Sequence, residues 1–344
     1  MDRHWRELIR QADPLVKSGD LEIFCPLGLP PESTRRAGRV RRFISKQVGY
    51  PRACRMLPKA DVTHLLDHSF AYLIPAIPSG TPLVATLHDL APLRDPGTLS
   101  PSQVRRFYRS ALNLRAADLI LCVSQASAED AVRYLQIPET RLHLHPMGVD
   151  VERFSNPGPL PELPAGMENT FRILSVGSTL PRKNLSSIPG VLSRMVKAGI
   201  KPSLIRVGAP LPPSLKDEIT ALIGSGHFRE FSGVSDATLA AFYRFSHAFF
   251  MPSLIEGFGL PVIEAMAAGC PVVCSNATSL PEVAGEAGLL FDPLDAESAA
   301  EHLIALANDA DLRTSLTKRG LLRAAKFSWK THVEQLLGIY RSLV

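Results

Sequence analysis

Short apolar runs bounded by glycine, proline and polar clusters alternate along this chain with amphipathic stretches of helical period. The runs Leu21–Cys25, Pro82–Leu87, Leu119–Val123, Phe171–Val176, Ser203–Gly208 and His247–Met251 read as strands. Asp61–His68 reads as a strand running into a polar loop, and Phe231–Asp236 as a strand ending in a polar turn. The intervening stretches 3–11, 34–48, 51–57, 102–116, 215–223, 239–246, 295–308, 311–326 and 333–343 read as helices. Ser214 is expected to cap the helix 215–223, and Ser127-Ala-Glu-Asp130 to open another with a capping-box start. Regular β-α alternation predicts α/β architecture with parallel sheets.

One stretch does not fit that pattern by packing alone. Residues 251–274, MPSLIEGFGLPVIEAMAAGCPVVC, read as a strand end, a glycine-rich turn, a short helix and a further strand. Pro261 suits the first helical position and Gly269 the residue past the helix end, where φ is usually positive. Glu256 precedes the turn and Glu264 lies one turn inside the helix, with seven residues between them. Free N–H groups at such a helix start attract a phosphate, and Gly257 and Gly259 allow close approach to the backbone. Carboxylates beside a phosphate make chemical sense when they accept hydrogen bonds from hydroxyls attached to it. A phosphate flanked by two polyols is a sugar nucleotide.

The segment Glu256-Gly-Phe-Gly-Leu-Pro-Val-Ile-Glu264-Ala-Met-Ala-Ala-Gly-Cys-Pro resembles the signature of the retaining family 4 (group 1) glycosyltransferases of the GT-B fold. That fold consists of two Rossmann-like domains facing each other across a cleft, with a C-terminal helix returning to the N-domain. The resemblance implies that Glu256 holds the donor sugar and Glu264 the ribose diol, while the backbone of Gly257, Phe258, Gly259 and Leu260 touches sugar hydroxyls and the distal phosphate. Arg182 and Lys183 follow one strand and precede a helix, so they can clamp a diphosphate, the arginine as a fork and the lysine as a mobile point charge. By resemblance they neutralise the leaving group. The same resemblance places Val234 near the nucleotide base and makes His88 the N-domain catalytic candidate, facing the donor sugar. Asp89 is expected to orient the His88 ring or to cap the next turn, and His68 to be a second cleft residue.

By this reading the N-domain covers 1–156, a Pro- and Gly-rich linker 157–170, the donor domain 171–327, and a crossing helix 328–344. Family members begin with a strand and glycine-rich loop that this sequence lacks before its helix at 3–11, so the expectation is a start further upstream or a shortened chain. The implied reaction moves a hexose from a nucleoside diphosphate to a glycan or lipid-linked acceptor with retention. It needs no metal or other cofactor, since the cations serve the diphosphate. An epimerase, a phosphorylase or a non-catalytic sugar-nucleotide-binding subunit are the alternatives. Nicotinamide chemistry is disfavoured, because no G-x-G-x-x-G follows a strand.

Composition and charge narrow the setting. With 344 residues, 45% of them hydrophobic, the chain can bury two cores. It shows no apolar run of spanning length and no signal-peptide core, so a cytoplasmic location is expected. The five cysteines are scattered and read as small buried residues, and Cys270 with Cys274 lack the further ligands of a zinc site. Residues 1–60 hold 13 Lys and Arg against 6 Asp and Glu, although the whole chain carries only +5. Arg35, Arg36, Arg39, Arg41, Arg42 and Lys46 surround apolar positions at helical spacing. Residues 35–46 are thus either a face for anionic lipid or a phosphate-bearing acceptor, or an ordinary solvated helix. Nucleic acid is not expected, for no aromatic residues interleave with these cations.

Overall fold

The computed structural model describes Leu8, Arg10 and residues 48–156, 158–160, 162 and 166–344. The expected helices 3–11 and 34–48, the strand Leu21–Cys25 and the basic face 35–46 lie outside the described residues, save for Leu8, Arg10 and Val48. Two compact units emerge. One runs to Pro146 and takes up Trp329–Val344; the other spans Met147–Ser328.

In the first unit β1 (Thr63–Leu65), β2 (Leu83–Leu87), β3 (Leu119–Cys122) and β4 (Leu142–Leu144) form a parallel sheet in sequential order. Alternation along β2 and β3 sends Ala85, Leu87, Ile120 and Cys122 to one face, under Leu90, Leu114 and Ala131. Val84 and Leu121 face the other way and are covered by Trp329, Val333, Leu336 and Ile339 of the helix Trp329–Leu343. Each such apolar side chain buried contributes about 1.5–3 kcal/mol, which explains why this last helix stays on the sheet. His64 of β1 shares that face and adds polar ties, with Nδ1 2.5 Å from the Tyr340 hydroxyl and Nε2 2.8 Å from Thr86 Oγ1.

The second unit holds β5 (Phe171–Gly177), β6 (Pro202–Gly208), β7 (Phe228–Phe231), β8 (Ala248–Met251), β9 (Val272–Ser275) and β10 (Gly288–Phe291). All pair in parallel in the order β10-β9-β8-β5-β6-β7. The chain therefore moves outward from β5 through β7, then returns to β8 on the other side of β5. In open parallel sheets that reversal leaves a crevice beyond the C-terminal strand ends, where ligands bind. Here it opens between β5 and β8.

Several boundaries differ from the sequence expectations, each for a local reason. The first unit ends at Pro146 and not at residue 156, because the helix Val151–Ser155 belongs to the second unit: Phe154 packs edge-on against Tyr243 and Arg153 pairs with Asp236 at 2.8 Å. The residues from 147 onward, including the described part of the expected linker 157–170, are likewise grouped with that unit. The helix Gln125–Leu135 starts before Ser127; Ser124 is extended and its side chain accepts from the Ser127 N–H. Ser127 Oγ instead donates to the His88 carbonyl. Pro212 and Pro213, not Ser214, begin the helix Pro213–Ile223. Phe231 ends its strand, and Ser235 caps the helix Asp236–Phe245.

Candidate active site

The turn after β8 is shaped by glycine and by a pair of hydroxyls. Gly259 adopts φ +104°, and a Cβ there would stand 2.6 Å from Leu280 Cδ2, so only glycine fits before the helix Leu260–Ala267. Pro261 lies in the first turn of that helix, and Gly269 follows its end with φ +75°. Thr278 Oγ1 exchanges hydrogen bonds with the Glu256 backbone, accepting from its N–H and donating to its carbonyl, both at 2.9 Å. Ser279 Oγ lies within reach of the Glu256 and Phe258 carbonyls at 3.1 and 2.9 Å. Thr278 pays a conformational cost for this position, since a β-branched residue at φ +50° is strained.

This scaffold fixes Glu256, whose side chain is only 7% exposed. Lys183 Nζ lies 2.5 Å from its Oε1, and Arg182 reaches Oε2 at 3.5 Å while donating to the Ile255 carbonyl at 3.0 Å. The Leu254 N–H returns a bond to the Arg182 carbonyl at 2.8 Å. The loop after β5 and the loop after β8 are therefore stitched together at the switch point, through side chains and main chain alike. Lys183, expected to be a mobile charge, has a side chain only 13% exposed and held by the carboxylate. Burial explains this: a half-desolvated ammonium needs a close counter-charge.

The remaining predicted donor contacts divide by position. Gly257 and Leu260 are half-buried at the turn, whereas the Phe258 side chain is packed into the core edge-on to Phe327. Glu264 is buried one turn further on, with Oε2 3.2 Å from the hydroxyl of the fully buried Tyr243. A carboxylate held in this way has a fixed orientation. Val234 lies in the turn after β7, two strands from β5.

His88 belongs to the first unit, just past β2. Its Nε2 lies 3.1 Å from the Leu66 carbonyl, and its backbone N–H donates to His68 Nδ1 at 3.3 Å. Asp89 caps the next turn by accepting from the Ala91 N–H at 3.0 Å. His68 is buried; desolvation draws its pKa down, against the opposing pull of Asp67 and Asp89.

Sequence reasoning missed Arg206, Thr278 and Tyr243. Arg206 stands in an otherwise apolar strand and is 1% exposed, the bulkiest fully buried side chain of the described residues. A lone arginine within Ser203–Gly208 was the available signal.

Comparison with known proteins accords with this geometry. The family model for glycosyl transferases group 1 matches residues 165–323, and that for glycosyltransferase family 4 matches residues 3–153. The chain is 32% identical over 325 residues to an O-antigen chain mannosyltransferase B of Escherichia coli, covering 89% of this chain and 84% of that protein. It is 31% identical over 282 residues to an MMP alpha-(1->4)-mannosyltransferase of Mycolicibacterium hassiacum, covering 77% and 66%. Anabaena Alr3699/HepE, solved in complex with UDP and glucose, superposes with a TM-score of 0.71 at 19% identity, covering 96% of this chain and 89% of that one.

Proposed function

The chain belongs to the family 4 (group 1) glycosyltransferases and has their GT-B fold, and on that premise we propose that it transfers mannose from a nucleoside diphosphate to a glycan acceptor with retention. The observation that carries the proposal is the cluster Glu256, Lys183 and Arg182 at the β5–β8 switch point. Lys183 and Arg182 stabilise the departing diphosphate, and the start of the helix Leu260–Ala267 adds the positive end of its dipole. Glu256 accepts from hydroxyls of the donor sugar and Glu264 from the ribose diol. The bond between the anomeric carbon and the diphosphate oxygen breaks, the acceptor oxygen bonds to the same face, and its proton passes to the departing diphosphate. No metal is required in this scheme, because the two cations supply the charge. The names of the two relatives support mannose as the sugar and a growing surface polysaccharide as one acceptor class. Association with an anionic membrane surface belongs to the same proposal and rests on the basic residues 35–46; no helix of the described residues is long and apolar enough to cross a membrane.

A thermal-shift screen against UDP, GDP, ADP and their sugar conjugates tests the donor pocket, since a ligand of the folded state raises Tm by mass action. The expected result is a shift with one nucleotide that Glu264→Ala removes, together with acceptor-dependent release of free nucleoside diphosphate. No shift with any of them, and no release, would sink the proposal.

A further inference from the structure

Arg206 is a buried cation to which, among the described residues, no carboxylate is bonded. Its Nη2 donates to the carbonyls of Gly177 at 2.6 Å and Ser178 at 2.9 Å, Nη1 reaches the Val207 carbonyl at 3.3 Å, and Nε has no partner among the described residues. Burial pushes its pKa down to about 10, only partly offset by the nearby Glu230. Burying a guanidinium in this way is costly, so its placement calls for a return.

Two consecutive carbonyls converge on one nitrogen, which an extended strand cannot do, because there successive carbonyls point to opposite sides. Gly177, at φ +135°, permits the turn. Gly208 secures it: a Cβ there would stand 1.9 Å from the Gly177 oxygen, which the Ala209 N–H also holds at 3.3 Å. In a trans peptide the N–H points opposite to the C=O. The carbonyls of Gly177 and Ser178 are aimed down at Arg206, so the N–H groups of Ser178 and Thr179 are aimed away from it. Among the described residues neither amide has an acceptor. Successive free amides on one side form an anion-binding concavity. They lie beside the cation cluster, for a Cβ on Gly177 would be 4.0 Å from Lys183 Nζ.

We infer that Arg206 is a positioning residue: by pinning the Gly177 and Ser178 carbonyls it presents the Ser178 and Thr179 amides to the diphosphate of the donor. The inference rests on the donor-site reading above and adds to it two main-chain ligands and the buried side chain that aims them. Arg206 does not touch the substrate itself.

The test compares nucleoside diphosphate with nucleoside. Titration calorimetry on the full chain would measure UDP, GDP and ADP against uridine, guanosine and adenosine, for the unaltered protein, Arg206→Met and Arg206→Lys. Loss of two aimed amides is expected to weaken the preferred diphosphate by about tenfold or more in Arg206→Met, in line with the strength of charge-assisted hydrogen bonds. The matching nucleoside should bind as before, and Arg206→Lys should recover part of the loss. A general loosening of the domain would weaken both ligands together, and an unchanged diphosphate-to-nucleoside ratio in a folded Arg206→Met protein overturns the inference. Should that variant not fold, replacing Thr179 by its α-hydroxy acid removes one N–H and leaves Arg206 in place. The same selective loss is then expected, and its absence overturns the inference. If the unaltered protein binds none of the diphosphates, the donor-site reading fails first and takes this one with it. Diphosphate binding that ignores both changes leaves the donor site standing and removes only the role of Arg206.

Discussion

Around the sheet of the first unit the prominent polar side chains include five histidines: His68, His88 and His145 past strand ends, His64 within β1 and His332 on the last helix. In the second unit the corresponding region holds ions: Arg182 and Lys183 on Glu256, and Arg206 beneath the turn at Gly177. Both regions are half or fully buried, but they meet the cost of burial differently. The second unit keeps its groups charged, pairing Arg182 and Lys183 with Glu256 and holding Arg206 on main-chain carbonyls. The first keeps His64, His145 and His332 neutral. Desolvation pushes His64 and His145 down to about 3 and His332 to about 4, and the histidines lower one another further. His145 and His332 face each other with ring centres 4.1 Å apart, a contact that two imidazolium ions would not tolerate. The second unit, whose strand order reverses between β5 and β8, thus presents bound cations at that point, whereas the sequentially ordered sheet of the first unit is flanked by proton-sensitive neutral histidines.

The sharpest way to break this comparison is to remove the charges. Replacing Arg182 and Lys183 together by Met, or Glu256 by Ala, is expected to lower transfer by about 1,000-fold or more, as loss of preorganised transition-state charges does. Far-UV dichroism should report an intact fold. The double variant should also lose nucleotide affinity, measured calorimetrically. His88→Ala, in contrast, is expected to leave nucleotide affinity unchanged and to cut turnover by about 100-fold, the usual scale for a lost proton-transfer or polarising group. Equal loss of nucleotide affinity in His88→Ala would erase the distinction.

Acid should separate the units next. A histidine whose folded pKa is depressed binds fewer protons folded than unfolded, so its contribution is complete above the unfolded value of about 6.5 and declines as pH falls towards the folded value. For His64, His145 and His332 that window runs from about 6.5 to 3 or 4. The second unit has one comparable case, His247, drawn down to about 4 by burial and by Arg172. The first unit is therefore expected to lose several kcal/mol more than the second between pH 7 and about pH 4. Limited proteolysis at pH 4.5, with cleavage sites assigned by mass spectrometry, should find cuts within 50–146 before cuts within 171–328. The reverse order would contradict the neutral-histidine account.

A smaller effect probes the tie between His64 and the last helix. Tyr340→Phe removes the hydroxyl beside His64 Nδ1 and leaves that nitrogen buried without a partner, at a cost of about 1–3 kcal/mol. The deficit should narrow when His64→Leu is combined with it, since the unpaired nitrogen then disappears. Chemical denaturation of the single and double variants checks both statements.

Legibility in the sequence followed the same division. The turn at 256–264 could be read because its causes are local: Gly257, Gly259, Pro261 and Gly269 each answer a backbone demand within a few positions. The histidine end was far less legible, for His64 meets Tyr340 across 276 positions and only the folded chain brings them together. His88 was visible as a strand-end histidine, but nothing nearby foretold that its N–H would rest on His68. Arg206 escaped for a further reason. A charged residue in a strand ordinarily snorkels from an edge, whereas this one is buried beneath a carbonyl turn that belongs to the neighbouring strand. The early domain boundary had the same origin, since Arg153 and Phe154 are claimed by partners more than eighty positions away.

Thr278 offers the smallest and most discriminating change, because strain and bonding oppose each other at one residue. Thr278→Gly relieves the φ +50° strain, worth about 1 kcal/mol or somewhat more, but loses two bonds to the Glu256 backbone and adds chain entropy. Thr278→Ala loses the same bonds and keeps most of the strain. Glycine is therefore expected to be the more stable of the two by about 0.5–1 kcal/mol, with both less than about 2 kcal/mol below the unaltered protein. The consequence for function runs through Glu256, whose carboxylate is aimed by this backbone. Both variants should raise the apparent KM for donor by a few-fold with the pH-stability curve of the first unit unchanged. If alanine proves the better replacement, the positive φ is not what Thr278 endures, and the turn must be held in place by Ser279 alone.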